Sequence, residues 1–510
     1  MKRRIFATLL AFCLIASLCV VGAAAASVES CPGGDSCAHE AAIGDVHYDT
    51  LDYALNNGSK VGDTIVVLKD CETSYFTANR NRTLDLNGHD VEYTGAGVII
   101  CNANGGEFSI VDSTAEEGTQ GGTFRVSGSR PGSAQVFEVF NGATLNINNI
   151  NVESTGCFIY PRGKGTTVNI TNCDITSSGV YCVSTNASAA TDAYYGVNIN
   201  ISGSSLKTNA NDYDNCAVMF NVEGSLNIEN STIAGDRQAV LVRAGTANIV
   251  NSEITVTGNW LESLEAGTIT GDNHTDGEWE SGNEVPSAAI VVGNYYENAA
   301  GAYLADATVN VENTAITSNG DDVPAVYVDG NTTYQSNISL SGNETAVSGN
   351  VTIGQQASTE AMDIEVNGGS YSSSVAAYVA DGLEYEANSD GVYTYHSTIE
   401  SAVEAAGSGG SVSMISDGAV VDETTGHTIT RIDGGSKTTM TVTDGYVYTL
   451  PELDKNGYTF VGWRLGNSNT IVKGGESYPI TANTTFTAVW NMINIPDTYE
   501  IGRASCRERV

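Results

Sequence analysis

The chain has 510 residues, with 60 Asp and Glu against 22 Lys and Arg, a formal net charge of −38 at pH 7 and a pI near 4.2. No Lys or Arg occurs between Ala244 and Thr430, so a nucleic acid or an anionic membrane, both of which demand a basic footprint, is excluded as a partner. The acidity is read as keeping a long, flat-sided protein soluble, because the Gly-Gly-x-Gly-x-Asp repeat of a calcium array is absent.

Lys2-Arg3-Arg4, the apolar run from Ile5 to Val21 and Ala23 to Ala26 have the three-part layout of a secretory signal peptide. Residues 1–26 are therefore expected to be removed, and the protein to be secreted, extracellular or cell wall-associated. Leu18 stands where a lipoprotein site needs a small residue before Cys19. No later apolar stretch is long enough to enter a bilayer as a span.

Residues 27–47 form a cysteine-containing N-terminal segment. Cys31 and Cys37 are close enough for a local disulfide; a zinc site from Cys31, Cys37 and His39 is the alternative, but a fourth ligand is not evident, and the disulfide is the preferred reading. No metal site is assigned. Without Cys13, Cys19 and the tail residue Cys506, eight cysteines remain, an even number that suits an exported protein with disulfides. Cys157, Cys182 and Cys216 fall near the starts of successive repeats, without a deducible pairing.

Tyr48 to Leu55 reads as a short amphipathic helix, followed by the strand Ile65 to Leu68, and residues 48–70 are expected to cap the N-terminal end of the repeats. Beyond them runs a recurring alternation of aliphatic, polar, aliphatic residues. Its copies are Leu84-Asp85-Leu86, Phe108-Ser109-Ile110, Leu145-Asn146-Ile147, Val168-Asn169-Ile170, Ile199-Asn200-Ile201, Leu226-Asn227-Ile228, Ala247-Asn248-Ile249, Val309-Asn310-Val311, Ile338-Ser339-Leu340 and Ile364-Glu365-Val366. Three residues after most centres stands Asn or Gly, as in Asn149, Asn172, Gly203, Asn230, Asn251 and Asn313; a further aliphatic follows, as in Val152, Ile175, Leu206, Ile233, Ile254 and Ile316. This predicts strand, left-handed bend, strand, with the aliphatic residues facing one interior. Each repeat is too thin to bury its own apolar face, so the repeats must stack. The predicted class is all-β, a right-handed parallel β-helix solenoid over residues 48–395, with a short N-terminal cap helix and a small C-terminal β-grasp-like module.

One gap between centres exceeds what a repeat needs, and the excess falls on the insertion 259–286. It carries Trp260 and Trp279 beside Asp272 and Asp276. Aromatic faces beside carboxylates are a means of gripping sugars, and these four residues are the candidate binding site; Asp272, Asp276 and Glu278 suit calcium as a weaker alternative, and packing of the tryptophans on the rod is the competing structural account. No cofactor is expected. No catalytic set is evident. Arg162-Gly163-Lys164 lacks an Asp pair or a His at a workable spacing, His89 follows the Asn87-Gly88 bend, and the six histidines are dispersed along the sequence.

Residues 396–427 are read as a linker or a second cap-like element, since Thr398 to Val403 and Val412 to Ile415 repeat the helix-then-strand order of residues 48–70. Residues 428–490 contain Gly457-Tyr-Thr-Phe-Val-Gly-Trp463 and a closing Ala488-Val-Trp490, with Tyr458, Phe460, Trp463, Phe486 and Trp490 as its expected core. Residues 491–499 begin a truncated continuation. The Arg-dense tail 500–510 resembles a translated sequencing adapter, so native sequence is expected to stop near Tyr499.

On Tyr48 to Asp70, Thr83-Leu-Asp-Leu-Asn-Gly88 and Asp390-Gly-Val-Tyr-Thr-Tyr395, the chain resembles the pectate-lyase-like right-handed parallel β-helix surface proteins of gut bacteria; residues 428–490 resemble the internalin B-repeat, a β-grasp-like module. The motifs of this resemblance are structural, and it is export, two modules that resemble those of surface proteins and one decorated lateral face that favour an adhesin-like binding protein, expected as a monomer, that meets a glycan or a host or cell-surface protein. A polysaccharide-active lyase or hydrolase and a passive stalk are the alternatives. The enzyme reading is weakened by dispersed carboxylates, and by the repulsion a polyuronate would meet from so acidic a chain.

Overall fold

The structure is a computed structural model. It describes residues 37–492 apart from 103, 117, 129–133, 188, 210–214, 259–286, 294–304, 321–322, 330–333, 354–361, 408–409, 417–418, 421–426 and 443–445. Strand accounts for 54% and helix for 5%, so the protein is all-β, and its long sheets are built from parallel strands.

The repeated triplets form one run of parallel pairs. Arg82–Asp85, Glu107–Val111, Thr144–Asn148, Thr167–Thr171, Val197–Ser202, the second half of Cys216–Glu229 and the second half of Gln238–Val250 pair in that order, then Ala307–Glu312, Ser336–Ser341 and Met362–Asn367. The register is in phase with the sequence pattern: Ile110, Ile147, Ile170, Ile201, Ile228, Ile249, Val311, Leu340 and Val366 lie side by side. None of them is more than 1% exposed. Period-2 alternation forces this outcome, because a slip of one residue would turn the whole aliphatic row to solvent. Full burial of each such side chain contributes about 1.5–3 kcal/mol.

A second parallel run follows the bends. Thr123–Val126, Asn151–Ser154, Asp174–Ser177, Ser205–Thr208, Thr232–Gly235, Glu253–Val256, Ala315–Ser318, Ala346–Ser348 and Ser370–Tyr371 align Phe124, Val152, Ile175, Leu206, Ile233, Ile254, Ile316, Val347 and Tyr371. The bends between the runs are left-handed: Asn149, Asn172, Asn230, Asn251 and Asn313 have φ of 59°, 50°, 50°, 49° and 48°. Asn is among the few L-residues that adopt this region at low cost.

A third parallel run is not among the predicted elements. Ile99–Cys101, Gln135–Val139, Cys157–Pro161, Val183–Ser184, the first halves of Cys216–Glu229 and Gln238–Val250, Ala288–Val292, Val326–Val328 and Val351–Ile353 pair in order. Its inner side chains join the main core. Its outer ones, including Tyr181, Met219, Leu241, Val291 and Tyr327, form a separate buried cluster.

The first hairpin, Ala41–Ile43 with Val46–Tyr48, pairs antiparallel with Thr64–Val67, which leads into the first parallel run. The helix begins at Leu51, later than its predicted start; Tyr48 belongs to the hairpin. The Thr50 side chain caps it by accepting from the Tyr53 backbone N–H at 3.2 Å. At the other end, Tyr385–Ser389 pairs antiparallel with Ser411–Ser416, and the helix Ile399–Ala406 lies between them in sequence. Ala402 and Ala406 of that helix share a core with Val412, Ile429, Trp463, Ile480 and Phe486. Residues 396–427 thus contain elements packed together with the C-terminal module. No helix among the described residues is long and apolar enough to cross a membrane.

Candidate functional site

At the N-terminal hairpin, two residues of the extended segment 37–39 meet one from the second hairpin strand. His47 lies opposite Ala42, and on an alternating strand it points away from its buried neighbour Tyr48. Cys37 Sγ is 3.3 Å from His39 Nδ1 and 3.2 Å from His47 Nδ1. All three ligand atoms lie within 4.8 Å of one another, in partly buried positions. The two imidazole rings are perpendicular, with centroids 5.6 Å apart. On the far side of His39, Nε2 is 3.4 Å from Asp49 Oδ1.

Sequence reading placed Cys37 and His39 together but missed His47, because the contact is made across a hairpin. The available signal was the turn at Gly44-Asp45, which folds Val46–Tyr48 back on Ala41–Ile43; Gly44 has φ 57°. Beside this cluster runs a polar cleft lined by Glu40, Asp52, Asp70, Glu72, Asp90 and Glu92. Lys69 tempers its charge while tying Ala38 in place, its Nζ donating to the Ala38 carbonyl at 2.7 Å.

The outward face of the first parallel run carries an uninterrupted amide ladder. Nδ2 of Asn169 donates to Oδ1 of Asn146, Asn200 to Asn169, Asn227 to Asn200, Asn248 to Asn227 and Asn310 to Asn248, at 2.8, 2.8, 2.9, 2.9 and 2.9 Å. Flanking it are Thr144, Thr167, Asn198, Ser225, Thr246 and Thr308 in one row, and Asn148, Thr171, Ser202, Glu229, Val250 and Glu312 in the other. In a chain of −38 net charge, this stripe is amide and hydroxyl except at one edge.

The candidate residues Trp260, Asp272, Asp276 and Trp279 lie outside the described residues, and so does Cys31, the expected partner of Cys37. Arg162 makes no polyuronate-type basic pair: its Nε donates to Glu138 Oε1 at 2.8 Å, and its guanidinium stacks 4.2 Å from the Phe140 ring centre. Lys164 reaches Asp192 instead, at 3.4 Å. His89 sits 3.5 Å from Asp70 beside the Asn87-Gly88 bend.

Of the five aromatic residues expected in the core of the C-terminal module, Trp463 and Phe486 are buried in it and Phe460 packs against it, whereas Tyr458 and Trp490 are half-buried outside it. Trp463 is 2% exposed, and its Nε1 donates to the Pro451 carbonyl at 2.8 Å. Trp490 Nε1 donates to Asp433 at 2.8 Å.

The expectation of disulfides among the repeats is not met. Cys71, Cys101, Cys157, Cys173, Cys182 and Cys216 are unbridged thiols. Cys182 joins the inner core, whereas Cys157 and Cys216 join the outer cluster, so the three candidates for stacking point to opposite sides of one sheet. Burial pushes the Cys157 and Cys216 thiols up to about 12 and the Cys173 thiol up to about 11, which leaves them protonated and unreactive. No family model matches the chain, and no curated protein or solved structure matches it.

Proposed function

We propose that this is an exported, cell-surface binding protein, a right-handed parallel β-helix of the pectate-lyase-like kind that docks a neutral glycan on its lateral surface. The observation that carries the reading is the amide ladder from Asn146 to Asn310. Asn169, Asn200, Asn227 and Asn248 each use one N–H and one oxygen lone pair within the ladder and keep one of each for a ligand, whereas the amide N–H groups of Asn146, at its end, go to Glu107 and Ser109. These free groups repeat at about 4.8 Å, the strand spacing, and offer a periodic hydroxyl-binding track to a periodic polymer.

Three features support the winding. Nine of the ten sequence periods contribute one strand to each of three parallel runs, the bends between first and second runs are left-handed, and the inner aliphatic rows of the runs enter one core. The parallel contact of His427–Asp433 with Thr484–Met492, and the antiparallel contact of the latter with Tyr458–Leu465, support a β-grasp-like reading of residues 428–490. The insertion 259–286 lies in sequence between Glu253–Val256 of the second run and Ala288–Val292 of the third, and its Trp260, Asp272, Asp276 and Trp279 are proposed as a second set of glycan contacts. The basic first residues support export, and the anchored state at a cell wall belongs to the same proposal.

The test is a glycan array with neutral and acidic polymers, followed by affinity measurements on variants. Asn200→Asp with Asn227→Asp places charge on the track and should weaken binding of a neutral glycan about tenfold or more, with an unchanged circular dichroism spectrum. Trp260→Ala with Trp279→Ala measures the share of the insertion. Full affinity in the asparagine variant would remove the ladder from the site. Release of unsaturated products or new reducing ends from pectin-type polymers would replace the binder by an enzyme.

A further inference from the structure

We propose that Cys37, His39 and His47 bind one zinc ion, through Sγ, Nδ1 and Nδ1, and that the ion fastens the N-terminal segment to the hairpin that opens the first parallel run.

The donor set selects the metal. One thiolate and two imidazoles are poor ligands for calcium or magnesium, which demand oxygen, and good ones for zinc in tetrahedral geometry. Zinc bonds of about 2.3 Å to sulfur and about 2.0–2.1 Å to nitrogen set a sulfur-to-nitrogen edge of roughly 3.5 Å in a tetrahedron. The observed edges of 3.3 and 3.2 Å are within a small side-chain adjustment of that value. Both imidazoles present the same nitrogen, Nδ1, to the sulfur.

The second observation is Asp49. With Nδ1 of His39 on a metal, Nε2 carries the proton, and Asp49 Oδ1 at 3.4 Å stands where a carboxylate accepts it. That arrangement of carboxylate, histidine and metal fixes the tautomer and strengthens the ligand. Three protein ligands leave one coordination position for water or another donor.

The mechanical consequence comes from topology. Cys37 and His39 precede the hairpin, and His47 lies in its second strand, so one ion closes a loop around Gly44-Asp45. The Lys69 bond to Ala38 holds the same segment from the other side. An end of a stacked sheet is where fraying starts, and a metal clip there resists it.

The experiment uses the full chain purified in a zinc-free buffer. Elemental analysis after equilibration with micromolar zinc should find one zinc per chain, and cobalt substitution should give the visible bands of a tetrahedral site with a thiolate-to-cobalt charge-transfer band. His47→Ala and Cys37→Ser should each weaken zinc about 100-fold or more, and Asp49→Asn about tenfold, with unchanged far-ultraviolet circular dichroism. Limited proteolysis near residue 40 should be slowed by zinc in the parent protein and not in His47→Ala; this readout stands even if a variant is less stable. Less than one zinc per chain, parent-like affinity in His47→Ala, or a peptide map without reductant that finds Cys37 in a disulfide would overturn the proposal.

Discussion

Single residues in the triplets have opposite roles one position apart. Ile228 is 1% exposed and lies between Ile201 and Ile249, whereas Asn227 points outward and bonds Asn200 and Asn248 at 2.9 Å each. Ile228→Asp buries an unpaired carboxylate and should cost more than about 4 kcal/mol, which unfolds or aggregates the protein. Asn227→Asp loses one donor and keeps the acceptor, a cost of about 1 kcal/mol. Thermal melts check the pair, and equal melting temperatures would contradict the register. The same local logic explains what was legible at this scale. Alternation and a left-handed Asn are properties of consecutive residues, so Asn149, Asn172 and Asn230 could be read directly. His47 could not, since its partners lie across a turn.

Elements are held in place by side chains that finish backbone bonds. Asp112 follows the strand Glu107–Val111 and is fully buried. Its Oδ2 accepts from the backbone of Gly88 and of Gly122, each at 2.7 Å, and its Oδ1 from the Thr114 N–H at 2.8 Å and the Thr114 hydroxyl at 2.6 Å. Burial pushes this carboxyl up, but the donors from Gly122, Thr114 and Gly88 outweigh it and hold the group below the ordinary carboxylate range. A depressed folded value means stability that is present above the unfolded pKa and lost as pH falls through the folded one. Asp112→Asn should therefore lower the melting temperature at pH 7, and its deficit relative to the parent should shrink below about pH 4. Melts at pH 7 and pH 3, on either side of the pI of 4.2, measure the difference; a deficit equal at both would show that ionisation of Asp112 contributes nothing. The sequence offered no sign of this tie, because its partners come from three separate turns.

For the molecule as a whole, the two amphipathic runs were legible and the third was not, for one physical reason. Strands with a wet face alternate, and alternation is visible. Ala288–Val292 is buried at every position, and the start of Cys216–Glu229 likewise; such runs show only continuous apolarity, which does not by itself announce a strand. The buried outer cluster that includes Tyr181, Met219 and Leu241 gives this side of the sheet its second apolar layer. Under the proposed winding, eleven strands from Thr64–Val67 to Met362–Asn367 stack in succession, a length of roughly 48 Å at about 4.8 Å per step. Ser370–Tyr371 of the second run is linked through Val392–His396, Tyr385–Ser389 and Ser411–Ser416 to Ser436–Val442 of the C-terminal module. A compact globule of 510 residues would have a radius of gyration of about 23 Å, a sphere roughly 60 Å across, so the stack taken alone is not longer than the globule. With the C-terminal module added to the stack, small-angle scattering should give a skewed, elongated distance distribution in place of the symmetric one of a globule. The elongation should persist at high salt, because it comes from stacking; elongation produced by self-repulsion of the −38 charge would shrink as the Debye length falls from about 10 Å at 0.1 M to about 3 Å at 1 M. A symmetric distance distribution, or one that becomes symmetric with salt, would count against the stacked rod.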